Sequence, residues 1–187
     1  MSELAALLID MDGTLIDTSE ANFAAYAAAL REVGVEVDRE AFERLSAGRH
    51  WRQFLPRMLA GVAADPVEVA TRKRKLYPQL ASRTQVSPSV LALARMARET
   101  LKLALVTTAS RSSVTAVLGA HALESLFDAI VTGDDVAEPK PAPDAYLLGA
   151  ELLGVAPSAC LAVEDSEAGV ESARRAGMAV LRIQMAG

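Results

Sequence analysis

The run LIDMDGT, residues 8–14, sets Asp10 and Asp12 two positions apart directly after an apolar stretch, with Gly13 and Thr14 following. In extended chain, residues two apart point to one side, so both carboxylates can address one reacting atom. One can attack a phosphoryl group to form an acyl phosphate while the other gives and then takes the proton. Gly13 permits a tight turn that brings backbone N–H groups round to the transferred oxygens. Further along, Thr107 and Thr108 close the run KLALVTT, and Glu164 and Asp165 close CLAVED. Lys140 stands between Pro139 and Pro141 in EPKPAPD, a compact positive charge on a stiff piece of chain. Like-charged carboxylates about 4 Å apart repel by about 4 kcal/mol at an effective dielectric of roughly 20. A hard divalent cation removes that cost, and a few carboxylates with waters match Mg2+. A nucleophile, a proton donor, a cation site, a hydroxyl and a lysine together suit phosphoryl transfer.

These residues need elements that bring them to one place. Leu7, Leu8 and Ile9 form a short, purely apolar run into Asp10, which predicts a strand buried on both faces. SEANFAAYAAALREVG then puts Phe23, Tyr26, Ala27, Leu30 and Val33 at helical spacing, with Ser19 as a cap and Gly34 as a stop. VDREAFERLSAG repeats the scheme with Asp38 as a cap, and RHWRQFLPRMLAG adds a third helix in which Pro56 marks a kink or restart. DPVEVATRKRKLYPQLAS opens on Asp65 and Pro66, a strong start signal. From about residue 85 the rhythm changes: KLALVTT, DAIVTGDD, CLAVED and AVLRI read as strands, separated by helical segments. That alternation implies a parallel sheet flanked by helices, with right-handed crossovers. The fold class is therefore α/β, a Rossmann-like parallel sheet with a helical unit inserted after the first strand. The expected boundaries are 1–17 and 85–187 for the α/β core, and 18–84 for the insertion. In such sheets ligands sit beyond the carboxyl ends of the strands, where the acids and threonines above fall.

Four stretches in order carry a family resemblance. DMDGTLIDT resembles the first signature of the haloacid dehalogenase-like hydrolases, VTTAS the second, the lysine of KPAPD the third and VEDSEAGVESARRAG the fourth. The resemblance implies Asp10 as nucleophile and Asp12 as general acid and base. It implies Mg2+ bound by the Asp10 carboxylate, the Asp12 main-chain carbonyl and Asp165, with Glu164 close by. Thr107 would hold the phosphate and Lys140 would neutralise it. The family's helical cap coincides with residues 18–84. Within that segment Asn22, Arg49 and Lys73 are candidates for reading the substrate, beside Gly13 and Thr108 at the strand ends. The four-residue basic run of which Lys73 is part cannot face one way on a helix, so at least half of it is solvated.

The implied activity is that of a Mg2+-dependent phosphatase acting on a small phosphorylated metabolite. A sugar-phosphate mutase uses the same parts, but the family's mutases usually carry a histidine early in the cap where this chain has Asn22. Dehalogenases of the family do not need the acid/base carboxylate that Asp12 supplies. A reading of another class is a non-catalytic phosphate-binding or signalling protein. Receiver domains share the strand-end aspartate, Thr and Lys, but lack the helical insertion and the second acid two residues on.

Bulk properties narrow the field further. The 187 residues are 51% hydrophobic and 23% charged, an ordinary globular composition, and the net charge of −5 disfavours nucleic-acid and anionic-membrane surfaces. No apolar run reaches transmembrane length, which predicts a cytoplasmic protein without membrane contact. The single cysteine, Cys160, excludes an internal disulfide framework and reads as a packing residue. Asp134 and Asp135 read as loop solvation, and His121 as a local turn residue. Relatives commonly continue past the strand AVLRI, and an exposed sheet edge there would favour association, so a monomer or weak homodimer is expected.

Overall fold

The computed structural model describes residues 3–46 and 51–184. In chain order the elements are β1 (Ala6–Ile9), β2 (Ile16–Asp17), α1 (Ser19–Arg31), α2 (Arg39–Ser46), α3 (Trp51–Met58), α4 (Pro66–Leu76) and β3 (Gln85–Val86). The second half runs α5 (Pro88–Ala97), β4 (Lys102–Val106), α6 (Arg111–Ala120), β5 (Ala129–Val131), α7 (Asp144–Leu153), β6 (Cys160–Glu164), α8 (Glu167–Arg175) and β7 (Ala179–Arg182). Contacts divide the chain into two compact units. One joins the residues up to Thr18 to those from Gln85 onward, and the other is Ser19–Thr84.

The α/β unit is built on a sheet in the order β5-β4-β1-β6-β7, and all four pairings are parallel. β1 is the centre of that order, paired on one side with β4 and on the other with β6. Its side chains are shut off from solvent, so a run of pure aliphatics is what the position requires. A cluster around Leu8, Val106, Val131, Tyr146 and Ala162 joins the strands to α7. Helix starts are marked by side-chain caps: Ser87 accepts from the Val90 N–H, Ser110 from Ser113 and Ser166 from Gly169. A separate antiparallel pair, β2 with β3, sets Asp17 opposite Gln85.

The second unit is helical among its described residues. Asp38 accepts from the Ala41 N–H ahead of α2, and Asp65 caps α4 with Pro66 at its first position. Pro56 lies inside α3. Phe42 and Phe54 pack edge-to-face at 5.9 Å between ring centroids, and Tyr26 stands 5.5 Å and 5.2 Å from them. Leu30, Leu55 and Val69 complete that core.

Asp135 does more than solvate its loop. It accepts from the Thr132 N–H and hydroxyl at 2.7 Å each, and Arg111 forks onto both its oxygens at 2.7 and 2.6 Å. Asp134 accepts from the Arg111 N–H, so the pair ties the loop after β5 to the start of α6. The Arg111 guanidinium, with Thr132 assisting, holds the Asp135 carboxyl down to about 2. A depressed carboxyl stabilises the fold above its unfolded value near 4, and that gain is lost as pH falls toward about 2. Urea unfolding of wild type and Asp135→Asn should therefore differ at pH 6 and converge as the pH approaches 2. A gap that stays constant over this range would contradict the assignment.

Candidate active site

β1 ends at Ile9, and the next residues turn rather than continue extended. Asp10 is buried at the strand end, Met11 is fully enclosed, and Asp12 forms an isolated bridge with Ile16. The turn is closed by Gly13, at φ +83°, whose N–H donates to the Ile16 carbonyl. A Cβ there would also stand 2.3 Å from Asp165 Oδ2, so only glycine lets the first and fourth motifs meet so closely.

Lys140, in the loop between β5 and α7, reaches back under the strand ends. Its ammonium donates to Asp10 Oδ1 and to Glu164 Oε1, both at 2.6 Å, and to the Val106 carbonyl at 3.0 Å. The lysine side chain is only 5% exposed, so this is a desolvated triad and not a surface pair. Burial alone would weaken the ammonium, but Asp10 and Glu164 together hold Lys140 above its ordinary value. Burial drives the Asp10 carboxyl well above the usual carboxylate range; Glu164 and Asp12 add to the rise, and Lys140 opposes it.

Asp12 is held by two hydroxyls. Thr18 donates to its Oδ1 at 2.8 Å and Thr107, at the end of β4, to its Oδ2 at 3.2 Å. Thr107 Oγ1 also accepts from the Ala109 N–H. Asp165 accepts from Thr14 at 3.2 Å, and burial followed by the Glu164 charge raises its carboxyl. Thr108 is exposed at the next position, its carbonyl packed against Gly133.

Four carboxylates thus gather around one ammonium. Asp10, Glu164 and Asp165 can each offer an oxygen within 4.8 Å of the others, a hard-oxygen donor set that suits a divalent cation. Glu164 differs from the other two. It is fully buried, and its oxygens already accept four bonds: Lys140 and Tyr146 on Oε1, and the Ser166 N–H and hydroxyl on Oε2. Those fill its acceptor capacity, so Glu164 anchors Lys140 more directly than it faces an ion.

The strand ends bring together Asp10, Asp12, Gly13, Thr107, Lys140, Glu164 and Asp165. Asn22 and Lys73 belong to the helical unit; there the Lys73 ammonium lies 4.2 Å from the Tyr77 ring centroid and 5.1 Å from that of Tyr26. Arg49 lies outside the described residues. Sequence reading missed Thr14, Thr18, Tyr146, Ser166 and Gly169. Thr14 and Thr18 sit inside the first motif and could have been flagged as hydroxyls beside the acids. Tyr146 and Gly169 look like ordinary helix residues, and only tertiary contact gives them meaning.

A parallel sheet carrying these acids, a lysine and a threonine at its carboxyl end is an α/β fold whose strand ends suit phosphoryl transfer. The family described as haloacid dehalogenase-like hydrolase matches residues 7–183. The chain is 32% identical over 183 residues to the fructose-1-phosphate phosphatase YqaB of Escherichia coli, covering 97% of each. It is 30% identical over 187 residues to the beta-phosphoglucomutase of Bacillus subtilis, covering 94% of this chain and 81% of that one. The crystal structure of CbbY from Rhodobacter sphaeroides in complex with phosphate superposes with a TM-score of 0.83 at 29% identity, over 98% of this chain and 87% of that one. The chain belongs to the haloacid dehalogenase-like hydrolases, and its enzyme class is that of the family's phosphatases. Among the described residues no helix is long and apolar enough to cross a membrane.

Proposed function

We propose that the chain is a Mg2+-dependent phosphatase that hydrolyses a small phosphorylated metabolite through an aspartyl phosphate on Asp10. The observation that carries this reading is the buried Lys140 ammonium, 2.6 Å from both Asp10 and Glu164, beside an Asp12 carboxyl group held by two hydroxyls. An Asp10 oxygen attacks phosphorus and the ester P–O bond breaks, the departing oxygen taking its proton from Asp12, which enters this step as the carboxylic acid and leaves it as the carboxylate. Asp12 then accepts a proton from water as that water attacks the acyl phosphate, releasing inorganic phosphate and regenerating Asp10. Lys140 would offset the negative charge of the phosphoryl group, with Thr107 and the exposed Thr108 as candidate hydroxyls for its oxygens. Mg2+ would be held by the Asp10 carboxylate, the Asp12 main-chain carbonyl and Asp165, where it offsets the negative charge of carboxylate and phosphoryl group. The likeness to enzymes named for sugar phosphates supports a substrate of that class.

Phosphate release from p-nitrophenyl phosphate and from a panel of phosphorylated sugars tests the assignment. Turnover is expected with Mg2+ and should fall by at least about 100-fold in excess EDTA, returning when Mg2+ is restored. Undiminished turnover in EDTA would remove the metal from the scheme. Transfer of the phosphoryl group to a second sugar hydroxyl, with little free phosphate, would assign a mutase instead.

A further inference from the structure

Tyr146 is fully buried in α7, and its hydroxyl, 2.8 Å from Glu164 Oε1, is placed to donate to that oxygen. The same oxygen receives Lys140 at 2.6 Å, and the lysine ammonium lies 5.0 Å from the centroid of the Tyr146 ring. Lys140 has three N–H donors, and the structure gives each a partner: Asp10, Glu164 and the Val106 carbonyl. In a dry site an oxygen that lacks a donor draws harder on the nearest one. Without the tyrosine hydroxyl, Glu164 would draw on Lys140, at the expense of Asp10 and of any phosphoryl group bound there.

We infer that Tyr146 is a positioning residue for phosphoryl transfer: its hydroxyl, donating to Glu164 Oε1, leaves the Lys140 ammonium directed at Asp10. This rests on the phosphatase reading above. Tyr146 touches no reacting atom and acts through Glu164 on Lys140. The ring also fills the core, so a purely structural role is the alternative the test must separate.

Tyr146→Phe keeps the ring beneath the ammonium and deletes only the donor. With p-nitrophenyl phosphate and Mg2+, its kcat is expected to fall at least about fivefold while KM stays within about twofold, because positioning acts on the transferred group more than on capture. The full chain carrying 4-aminophenylalanine in place of Tyr146, which restores an N–H donor at the same point, should recover kcat to within about threefold of wild type. A folded Tyr146→Phe chain with wild-type kcat would overturn the inference and leave the phosphatase reading intact. So would a 4-amino chain that stays as slow as the Phe variant. If the Phe chain does not fold, the 4-amino chain decides alone, activity within about threefold of wild type supporting the role and any larger loss refuting it. A wild type that releases no phosphate would remove the phosphatase reading, and this inference with it.

Discussion

Under the proposed mechanism, Asp10→Asn should remove turnover while leaving the fold in place. The amide keeps the shape of the carboxylate and can still accept from Lys140, but it cannot form the acyl phosphate. Loss of a covalent nucleophile costs orders of magnitude, so kcat for p-nitrophenyl phosphate should drop by at least about 10³-fold. Stability moves differently. Burial holds the Asp10 carboxyl well above the usual range, so the ionised form works against folding at and above neutral pH. A neutral isostere has no such charge to desolvate, and the metal-free variant should melt no lower than wild type at pH 8. Phosphate release and calorimetric Tm measured on one preparation check both halves. Residual activity within tenfold of wild type would show that another group performs the attack.

Gly169→Ala should be strongly damaging for a change of one methyl group. In the interior of an exposed helix this substitution is ordinarily worth about 1 kcal/mol of stabilisation. Here the added Cβ would stand 1.9 Å from the Glu164 carboxylate carbon and from its Oε1, and 2.1 Å from Oε2. A flexible glutamate would swing aside at little cost. This one is fully buried and fixed by Lys140, Tyr146 and Ser166, so moving it breaks a charged network in a dry place. Disrupting such a network costs about 3–5 kcal/mol, which outweighs the helical gain. The same displacement releases Lys140 from its anchor, and kcat should fall by at least about 100-fold. Urea unfolding and steady-state kinetics read the two effects. A variant more stable than wild type would mean that Glu164 is far less constrained than its contacts imply.

Much of this arrangement was legible because parallel sheets concentrate chemistry by geometry. The apolar run before Asp10 demanded a buried strand, and three further strands ending in Thr107, in the Asp134 loop and in Glu164 had to open on the same side. The helical insertion was equally plain, since Asp38, Asp65 and Pro66 announce helix starts by local chemistry. What escaped has a common cause. β2 and β3 are two residues each, too short to show a period, and exist because Ile16 finds Val86 across 70 positions. Sequence alone does not show how differently Thr107 and Thr108 are placed: Thr108 is exposed, and Thr107 is buried against Asp12. The Lys73 ammonium lies over the rings of Tyr26 and Tyr77 in its own unit, a contact that its place in a basic run does not announce. The Tyr146 hydroxyl meets Glu164 only when α7 lies against the sheet, a contact that no local pattern encodes.

The short antiparallel pair of β2 and β3 has an architectural consequence. The polypeptide departs for its helices beside Asp17 and comes home beside Gln85, and residues facing each other in such a ladder lie only about 5 Å apart. Exit and entry therefore share one doorway, and a stub of a few amino acids spans it. A change in the length of the helical segment between them would leave this crossing, and the register of the strands that carry Asp10 and Glu164, as they are.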